Sequence, residues 1–115
     1  PDLVRIEQVC VNIIRNALDA MIDSPKKRLR IDLTTAESNV IMRISDTGPG
    51  MDDDALALLF DPFFTTKDPG QGVGLGLSVT YGIVRDFGGS IKAYNMTSGG
   101  ACFEVRLPLL REQTS

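Results

Sequence analysis

Residues 29–45 read LRIDLTTAESNVIMRIS, and this stretch decides the fold class. Apolar residues occupy every other position over residues 29–34, and a second run of the same kind covers residues 40–45. A period of two is typical of strands that bury one face. The polar residues 37–39 between the two runs suit a short turn. The stretch therefore predicts an antiparallel hairpin.

A long helix is predicted ahead of this hairpin. Asp2 can cap its first turn, and Pro25 should end it. The residues that recur at spacings of three and four on its main apolar face are Ile6, Val9, Cys10, Ile13, Ala17 and Ala20. A second apolar side carries Val11, Leu18 and Ile22, so we expect the helix to be buried on both sides.

Chain breakers and apolar spacing divide the rest of the sequence. They predict a short helix over residues 53–60, a loop over 63–72, a helix over 74–87, and strands over 91–94 and 102–107. The 74–87 helix should stop at Gly88 and Gly89, and its apolar side should comprise Leu75, Val79, Ile83 and Phe87. Helices that alternate with antiparallel strand pairs favour an α/β two-layer sandwich with the helices on one sheet face.

The composition is that of one globular domain over residues 1–115. A chain of 115 residues, 43% of them hydrophobic and 23% charged, can bury a core without disulfides or structural metal. The net charge of −3 opposes nucleic-acid binding, and no apolar run approaches the roughly 20 residues of a membrane span. We therefore expect a cytoplasmic domain, monomeric in isolation, without nucleic-acid or membrane contact.

Histidine and cysteine usage restricts the chemistry. The chain contains no histidine, which excludes His-based triads, imidazole bases and His-ligated zinc. Cys10 and Cys102 lie among apolar residues without C-x-x-C spacing, so buried reduced thiols are expected. Any chemistry here must use carboxylates, amides, lysine or the backbone.

Three polar residues share one face of the first helix. Asn12, Asn16 and Asp19 are spaced four and three apart, so their side chains stack along the helix. Such a stripe faces either solvent or a cavity. The sequence leaves both interpretations open.

The sequence DTGPG at residues 46–50 follows the second strand of the hairpin. A carboxylate followed by two glycines is common in ordinary tight turns. In the functional interpretation, Asp46 projects from the strand end into a pocket. Its carboxylate could there accept a hydrogen bond from an exocyclic amine such as N6 of adenine.

Glycine recurs at every second position in residues 70–76 of the run GQGVGLGLS, which leads into the second long helix. The run matches neither a Walker A loop nor a dinucleotide fingerprint. It is either a flexible loop or a segment whose N–H groups, together with those of the helix N-terminus, bind an anion.

Acidic residues dominate the segment that precedes this glycine run. Residues 46–68 contain six aspartates and a single base, Lys67, so a bound polyphosphate would need backbone donors and a divalent cation. Asn16 can offer Mg²⁺ a neutral oxygen, with Asn12 or Asp19 assisting.

The sequence FDPFFTTK at residues 60–67 groups three phenylalanines. Phe60 is expected in the core, whereas Phe63 and Phe64 lie between chain breakers and could pin a lid. Lys67 could reach a phosphate from this lid. The alternative is a surface ion pair between Lys67 and a neighbouring aspartate.

In their order along the chain, these four segments resemble the catalytic ATP-binding domain of bacterial sensor histidine kinases. That domain belongs to the ATPase superfamily of DNA gyrase, mismatch-repair ATPases and heat-shock chaperones. The similar segments are residues 12–20 for its N box, 46–50 for its G1 box, 60–67 for its F box and 72–77 for its G2 box. The resemblance implies the Bergerat fold, a mixed sheet of about five strands with three helices on one face.

The resemblance also implies a site for ATP and Mg²⁺ between the first helix and a lid over residues 52–72. Asp46 would hold N6 of adenine, Asn16 would ligate Mg²⁺, and Lys67 would approach the phosphates. Asn12, Asn16 and Lys67 would form the catalytic set. The remaining nucleotide-binding residues would be Asp19, Gly48, Gly50, Met51, Phe64, Thr66, Gly72, Val73, Gly74, Leu75, Gly76 and Leu77.

Asn12 stands where the hydrolysing members of the superfamily carry a glutamate that activates water. An amide cannot take a proton near neutral pH, so we expect poor ATP hydrolysis. The resemblance implies transfer of the γ-phosphoryl group to a histidine on an upstream dimerisation domain, with a response regulator as a further partner. The chain would then be an excised catalytic domain, and membrane anchoring of its parent stays open. A self-sufficient ATPase and a nucleotide-binding regulatory module (pseudokinase) are the alternatives.

Ala101 departs from the family pattern, which usually has threonine after the second glycine. Any water-mediated adenine contact of that hydroxyl is not expected here, although Thr97 or Ser98 could substitute. The F box and the GLGLS run resemble kinases of the nitrogen-regulation and dicarboxylate-sensing type.

Overall fold

The computed structural model describes residues 2–60 and 73–109, without the side chains of residues 2 and 73–76. The elements, in chain order, are α1 (Asp2–Ala20), β1 (Leu29–Ala36), β2 (Asn39–Asp46), α2 (Asp53–Leu58), α3 (Val73–Asp86), β3 (Ser90–Asn95) and β4 (Ala101–Pro108). Each predicted helix and strand is present, with small differences at its ends, whereas the loop predicted over residues 63–72 lies outside the described residues. The α/β two-layer prediction is therefore confirmed.

The described strands form one sheet in the order β1-β2-β4-β3. Every neighbouring pair is antiparallel, so this part of the chain contains four antiparallel strands where a mixed sheet of about five was expected. The order of the strands explains why no described pair is parallel. β3 runs parallel to β2, but β4 lies between them and separates the two parallel strands.

The β1–β2 hairpin closes through a two-residue turn. Glu37 and Ser38 both have positive φ, at 52° and 69°, and Ala36 pairs with Asn39. Two successive left-handed residues match the right-handed twist of the flanking strands. The predicted hairpin is confirmed, with Asn39 as the first residue of β2.

The hydrophobic core lies between α1, α3 and one face of the sheet. Its buried residues are Val9, Ile13, Ile44, Leu59, Leu77, Ile83, Val84, Ile91, Phe103 and Val105. Apart from Leu59, which follows α2, they come from both long helices and from three strands, so the core joins the two layers.

The two long helices pack antiparallel. Arg5 in the first turns of α1 donates to the carboxylate of Asp86 at the end of α3, at 2.6 Å. Asn12, further along α1, donates through Nδ2 to Oγ1 of Thr80 at 3.1 Å. The last turns of α1 consequently lie beside the first turn of α3.

The end of α3 follows the sequence prediction. Gly88 has φ of +80°, and its N–H donates to the carbonyl oxygen of Arg85 at 2.9 Å. Gly89 donates to the carbonyl oxygen of Val84 at 2.9 Å. This pair of bonds is the Schellman motif, in which glycine relieves the cost of a left-handed residue.

The second apolar side of α1 is not buried by any described element, contrary to the prediction. Val11, Leu18 and Ile22 are 50%, 54% and 69% exposed. Ile31 and Leu33 on β1 are also exposed. The reason is that α1 packs over β2, while β1 is the edge strand of the described sheet and has no helix of its own.

The buried face of α3 matches the predicted one at Ile83 and Phe87 but not at Val79. Leu77, Thr80 and Ile83 are buried, whereas Val79 is 44% exposed. Apolar residues occur around most of this helix, so spacing alone does not select one face. Its packing against α1 and β3 decides the rotation.

Both cysteines are free thiols, as predicted. Cys102 is buried and Cys10 is half-buried, with its Sγ 3.9 Å from Sδ of Met42. Burial, followed by the charge of Glu7, raises the pKa of the Cys10 thiol. The neutral form is thereby favoured at neutral pH.

Glu104 is a buried carboxylate on the sheet face opposite the helices. Burial acts to raise its pKa, but the Arg43 hydrogen bond at 2.9 Å and the charge of Lys92 outweigh it, and the pKa is lowered. The ionised form therefore stabilises the fold at pH values above the pKa of a glutamate in the unfolded chain, about 4.3.

We expect Glu104→Gln to remove part of the acid sensitivity of the fold. In the parent chain, the contribution of the Glu104 carboxylate is lost as the pH falls through its lowered pKa. In urea unfolding, the variant should be less stable than the parent chain at pH 7. The difference in free energy of unfolding between the two should become smaller toward pH 3. Glu37→Gln in the exposed β1–β2 turn is the matched control. A difference in free energy of unfolding that does not change with pH would contradict this role of the Glu104 carboxylate.

Candidate functional site

One end of the sandwich collects the polar segments of the sequence. β2 ends there at Asp46, β4 begins at Ala101, and α1 ends at Ala20. A Cβ added to Gly48 would lie 2.9 Å from the carbonyl oxygen of Ala20, so the turn after β2 passes directly against the end of α1. Because α1 and α3 are antiparallel, the start of α3 at Val73 lies at this end too.

The Asp46 carboxylate is buried at this end, with 2% of the residue exposed. Its Oδ1 accepts N–H bonds from Gly48 at 2.9 Å and from Ala101 at 3.3 Å. No described residue donates to Oδ2. The turn interpretation of Asp46 is therefore confirmed, and its projection into a pocket stays a prediction.

Ala101 takes part in this arrangement through its backbone. It lacks the hydroxyl of the family pattern, but its N–H reaches Asp46 and its side chain is buried. Thr97 and Ser98, the suggested substitutes, are exposed in the β3–β4 connection.

The polar stripe of α1 contacts α3 through Asn12, the first of its three residues. Asn12 is bound to Thr80 and is half-buried, as are Asn16 and Asp19. The fully solvated interpretation is therefore wrong for Asn12. Asn16 lies one turn further along α1, beside the first turn of α3.

The second part of the glycine run belongs to a helix. α3 begins at Val73, so residues 73–76 are its first turn, one residue earlier than predicted. The first four N–H groups of a helix have no partner within it. These donors, and the partial positive charge of the helix end, lie beside Asn16.

Several sequence-predicted site residues lie outside the described part of the chain. These are Phe64, Thr66, Lys67 and Gly72, together with most of the 60–67 motif and of the proposed lid. Phe60 is described. Its ring stacks on Tyr81 at 5.5 Å between centroids and meets the edge of Phe103 at 6.3 Å, which confirms its expected packing against the core.

Leu77 is placed differently from the other predicted residues of the G2-like segment. Its side chain is 3% exposed within the hydrophobic core. Only its backbone could contribute to a site.

Sequence reasoning missed two polar residues near this end. Thr80 is completely buried on α3, where a lone hydroxyl on an otherwise apolar face was the available signal. Asn95 closes β3 and bonds to Met51 at the entry to α2. A single asparagine at a strand end is too common to have indicated this contact.

The described residues hold neither a metal-binding cluster nor a membrane span. They contain no cluster of three His, Cys, Asp or Glu side chains arranged to hold a metal. No helix within residues 2–60 or 73–109 is long and apolar enough to cross a membrane.

The sequence of the chain matches a known protein family over most of its length. A family model described as histidine kinase-, DNA gyrase B-, and HSP90-like ATPase covers residues 1–111. Sensor protein FixL of Bradyrhizobium diazoefficiens is 46% identical over 112 residues, which make up 96% of this chain and 22% of FixL. The chain thus spans about a fifth of the length of that curated relative.

Solved structures show the same architecture. The catalytic domain of histidine kinase ThkA superposes with a TM-score of 0.79 at 31% identity, over 91% of this chain and 66% of that one. Full-length ShkA in complex with AMPPNP superposes with a TM-score of 0.77 at 27% identity, over 90% of this chain and 21% of ShkA. By sequence match and by fold, the chain belongs to the histidine kinase-, DNA gyrase B- and HSP90-like ATPases.

Proposed function

We propose that the chain binds Mg²⁺-ATP and donates the γ-phosphoryl group to a histidine on a separate dimerisation domain of a two-component sensor kinase. The buried Asp46 carboxylate carries this proposal. One of its oxygens accepts from two backbone N–H groups, and no described residue donates to the other. It lies at the same end of the fold as the first turn of α3 and the last turns of α1, which carry Asn16.

Asp46 would recognise the base. Because Gly48 and Ala101 fix Oδ1, the orientation of the carboxylate is set before a ligand arrives. Oδ2 remains an acceptor, which matches the N6 amine of adenine and opposes the O6 oxygen of guanine. The site should therefore prefer adenine to guanine nucleotides.

The first turn of α3 would receive the phosphates through its free N–H groups. Asp52 caps α2, and Asp53 and Asp54 lie in its first turn, shortly after the Asp46 turn, so a bare triphosphate would meet negative charge. A divalent cation offsets this charge, and Mg²⁺ needs few protein ligands. The amide oxygen of Asn16 is suited to hold it, and bound Mg²⁺ would neutralise charge on the phosphates.

The remaining predicted residues enter the proposal from sequence alone. Gly72 would extend the phosphate-binding turn, and Lys67 would approach the phosphates from a lid that also carries Phe64 and Thr66. Asp19 and Met51 would line the site, at the end of α1 and at the entry to α2.

Asn12 favours phosphoryl transfer over hydrolysis. Its amide has no basic group for a water molecule, and its Nδ2 donates to Thr80. The chain has no histidine of its own, so the acceptor must come from another domain. The partners would be the histidine-containing dimerisation domain of the parent protein and a response regulator.

Calorimetric titration with ATP, with and without Mg²⁺, tests the site. We expect Mg²⁺ to strengthen binding to the parent chain, and Asn16→Ala to lose most of that gain, about tenfold in Kd, while binding without Mg²⁺ changes little. Asn39→Ala, at the first residue of β2, is the matched control. An unchanged Mg²⁺ dependence in Asn16→Ala would remove Asn16 from the metal site.

Labelled ATP tests the transfer. Mixing the chain with the dimerisation domain should yield acid-labile phosphate on that domain and little free phosphate. Steady ATP turnover by the chain alone would instead favour the ATPase alternative. Tight Mg²⁺-ATP binding without transfer to a competent acceptor would favour the regulatory module.

A further inference from the structure

Asn95, the last residue of β3, makes two hydrogen bonds to one residue of the turn that follows Asp46. Its Oδ1 accepts from the N–H of Met51 at 2.9 Å, and its Nδ2 donates to the carbonyl oxygen of Met51 at 2.6 Å. One side-chain amide thus satisfies both backbone groups of Met51, in the way that a neighbouring strand would.

The approach of Asn95 to this turn is close. Gly50 has φ of +82°, and a Cβ added there would lie 2.8 Å from Oδ1 of Asn95. The turn therefore passes against the Asn95 side chain with no room for a larger residue. Asp52, the next residue after Met51, caps α2 by accepting from the N–H of Ala55 at 2.8 Å.

The other end of the same turn is held by the same hairpin. The N–H of Ala101, the first residue of β4, donates to Asp46, and Gly100 packs directly on the Asp46 backbone. The β3–β4 hairpin consequently contacts the turn over residues 46–51 at two points. It contacts Asp46 through β4 and Met51 through Asn95.

We infer that Asn95 is a positioning residue for the nucleotide site, which fixes the turn over residues 46–51 so that the Asp46 carboxylate is preorganised for the base. The inference rests on the proposed function. Asn95 itself touches no reacting atom. Its effect reaches the base through the turn. Its loss should therefore weaken the binding of every adenine nucleotide by a similar factor.

Asn95→Leu keeps the branched shape of the side chain and removes both hydrogen bonds. Asn39→Leu is the matched control, because Asn39 also bonds to a backbone carbonyl, that of Glu37, in the hairpin turn joining β1 and β2. We expect Asn95→Leu to raise the Kd for ATP, ADP and adenosine alike by about tenfold. The ratio of affinities with and without Mg²⁺ should stay at the parent value. Asn39→Leu should leave all Kd values within about twofold.

Amide hydrogen exchange of the nucleotide-free chain measures the turn independently of binding. Exchange at Met51 should accelerate about tenfold in Asn95→Leu, while amides in the middle of α1 keep their parent rates. Unchanged exchange at Met51, or Kd values equal to those of the parent chain, would overturn the inference. If the parent chain binds no nucleotide, the proposed function is wrong, and with it the role of Asn95 in binding. The exchange rates would still report whether the two hydrogen bonds of Asn95 hold the turn.

Discussion

Replacing Asp46 with asparagine should lower the affinity for ATP by about 30- to 1,000-fold while leaving the chain folded. The amide oxygen of the variant can still accept from the N–H groups of Gly48 and Ala101, so the turn keeps its internal bonds. The amide nitrogen then takes the place of Oδ2 and sets a donor against the N6 amine of adenine. Calorimetric titration measures the loss, and urea unfolding checks that Asp46→Asn folds.

Inosine triphosphate provides the matched test of this assignment. It differs from ATP in carrying an oxygen acceptor in place of the exocyclic amine and an N–H donor at N1. We expect the parent chain to prefer ATP and Asp46→Asn to prefer inosine triphosphate, because the new amide donor matches the oxygen. An affinity of Asp46→Asn for ATP within about threefold of the parent value would show that this carboxylate does not recognise the base.

Gly100→Ala should destabilise the chain by about 3–5 kcal/mol. Gly100 has φ of +85°, a conformation that is strained for alanine, and an added Cβ would fall well inside contact distance of the Asp46 carbonyl oxygen. The obstacle is backbone on a buried strand end, so it cannot turn aside as a flexible side chain would. Urea unfolding measures the loss of stability, and ATP binding by the folded fraction should fall as the Asp46 turn is displaced.

Gly99→Ala separates the two causes. Gly99 also has positive φ, at +105°, but nothing lies within 4 Å of an added Cβ. This variant should pay only the backbone strain, about 1–2 kcal/mol, and should bind ATP as the parent chain does. Equal losses of stability in the two variants would show that the close approach of Gly100 to Asp46 does not constrain the fold.

Local patterns predicted the secondary structure well because each rests on short-range physics. The alternation over residues 29–45 required a hairpin, and the Gly88-Gly89 pair marked the end of α3 through its left-handed conformation. The four motif segments likewise placed Asp46 and Asn16 among the candidate residues. Asp46 lies at the expected strand end, whereas its role in binding stays a prediction.

The exposed side of α1 and the rotation of α3 were beyond local reasoning. Leu18 and Val79 are as apolar as buried residues, and their exposure depends on which neighbouring element covers them. Thr80 and Asn95 were missed for the related reason that their partners, Asn12 and Met51, lie far away along the chain. Side-chain pairs of this kind form only after the layers have packed.

The sequence by itself determined the helices, the hairpin, the fold class and the segments in which polar chemistry is concentrated. Only the tertiary structure decided that Oδ1 of Asp46 accepts from the N–H groups of Gly48 and Ala101 while no described residue donates to Oδ2. Propensity and periodicity act between residues close in sequence, whereas burial and hydrogen bonding at this end depend on backbone segments brought together from α1, β2, α3 and β4. A binding site built from such segments therefore takes its geometry from the packing of the two layers.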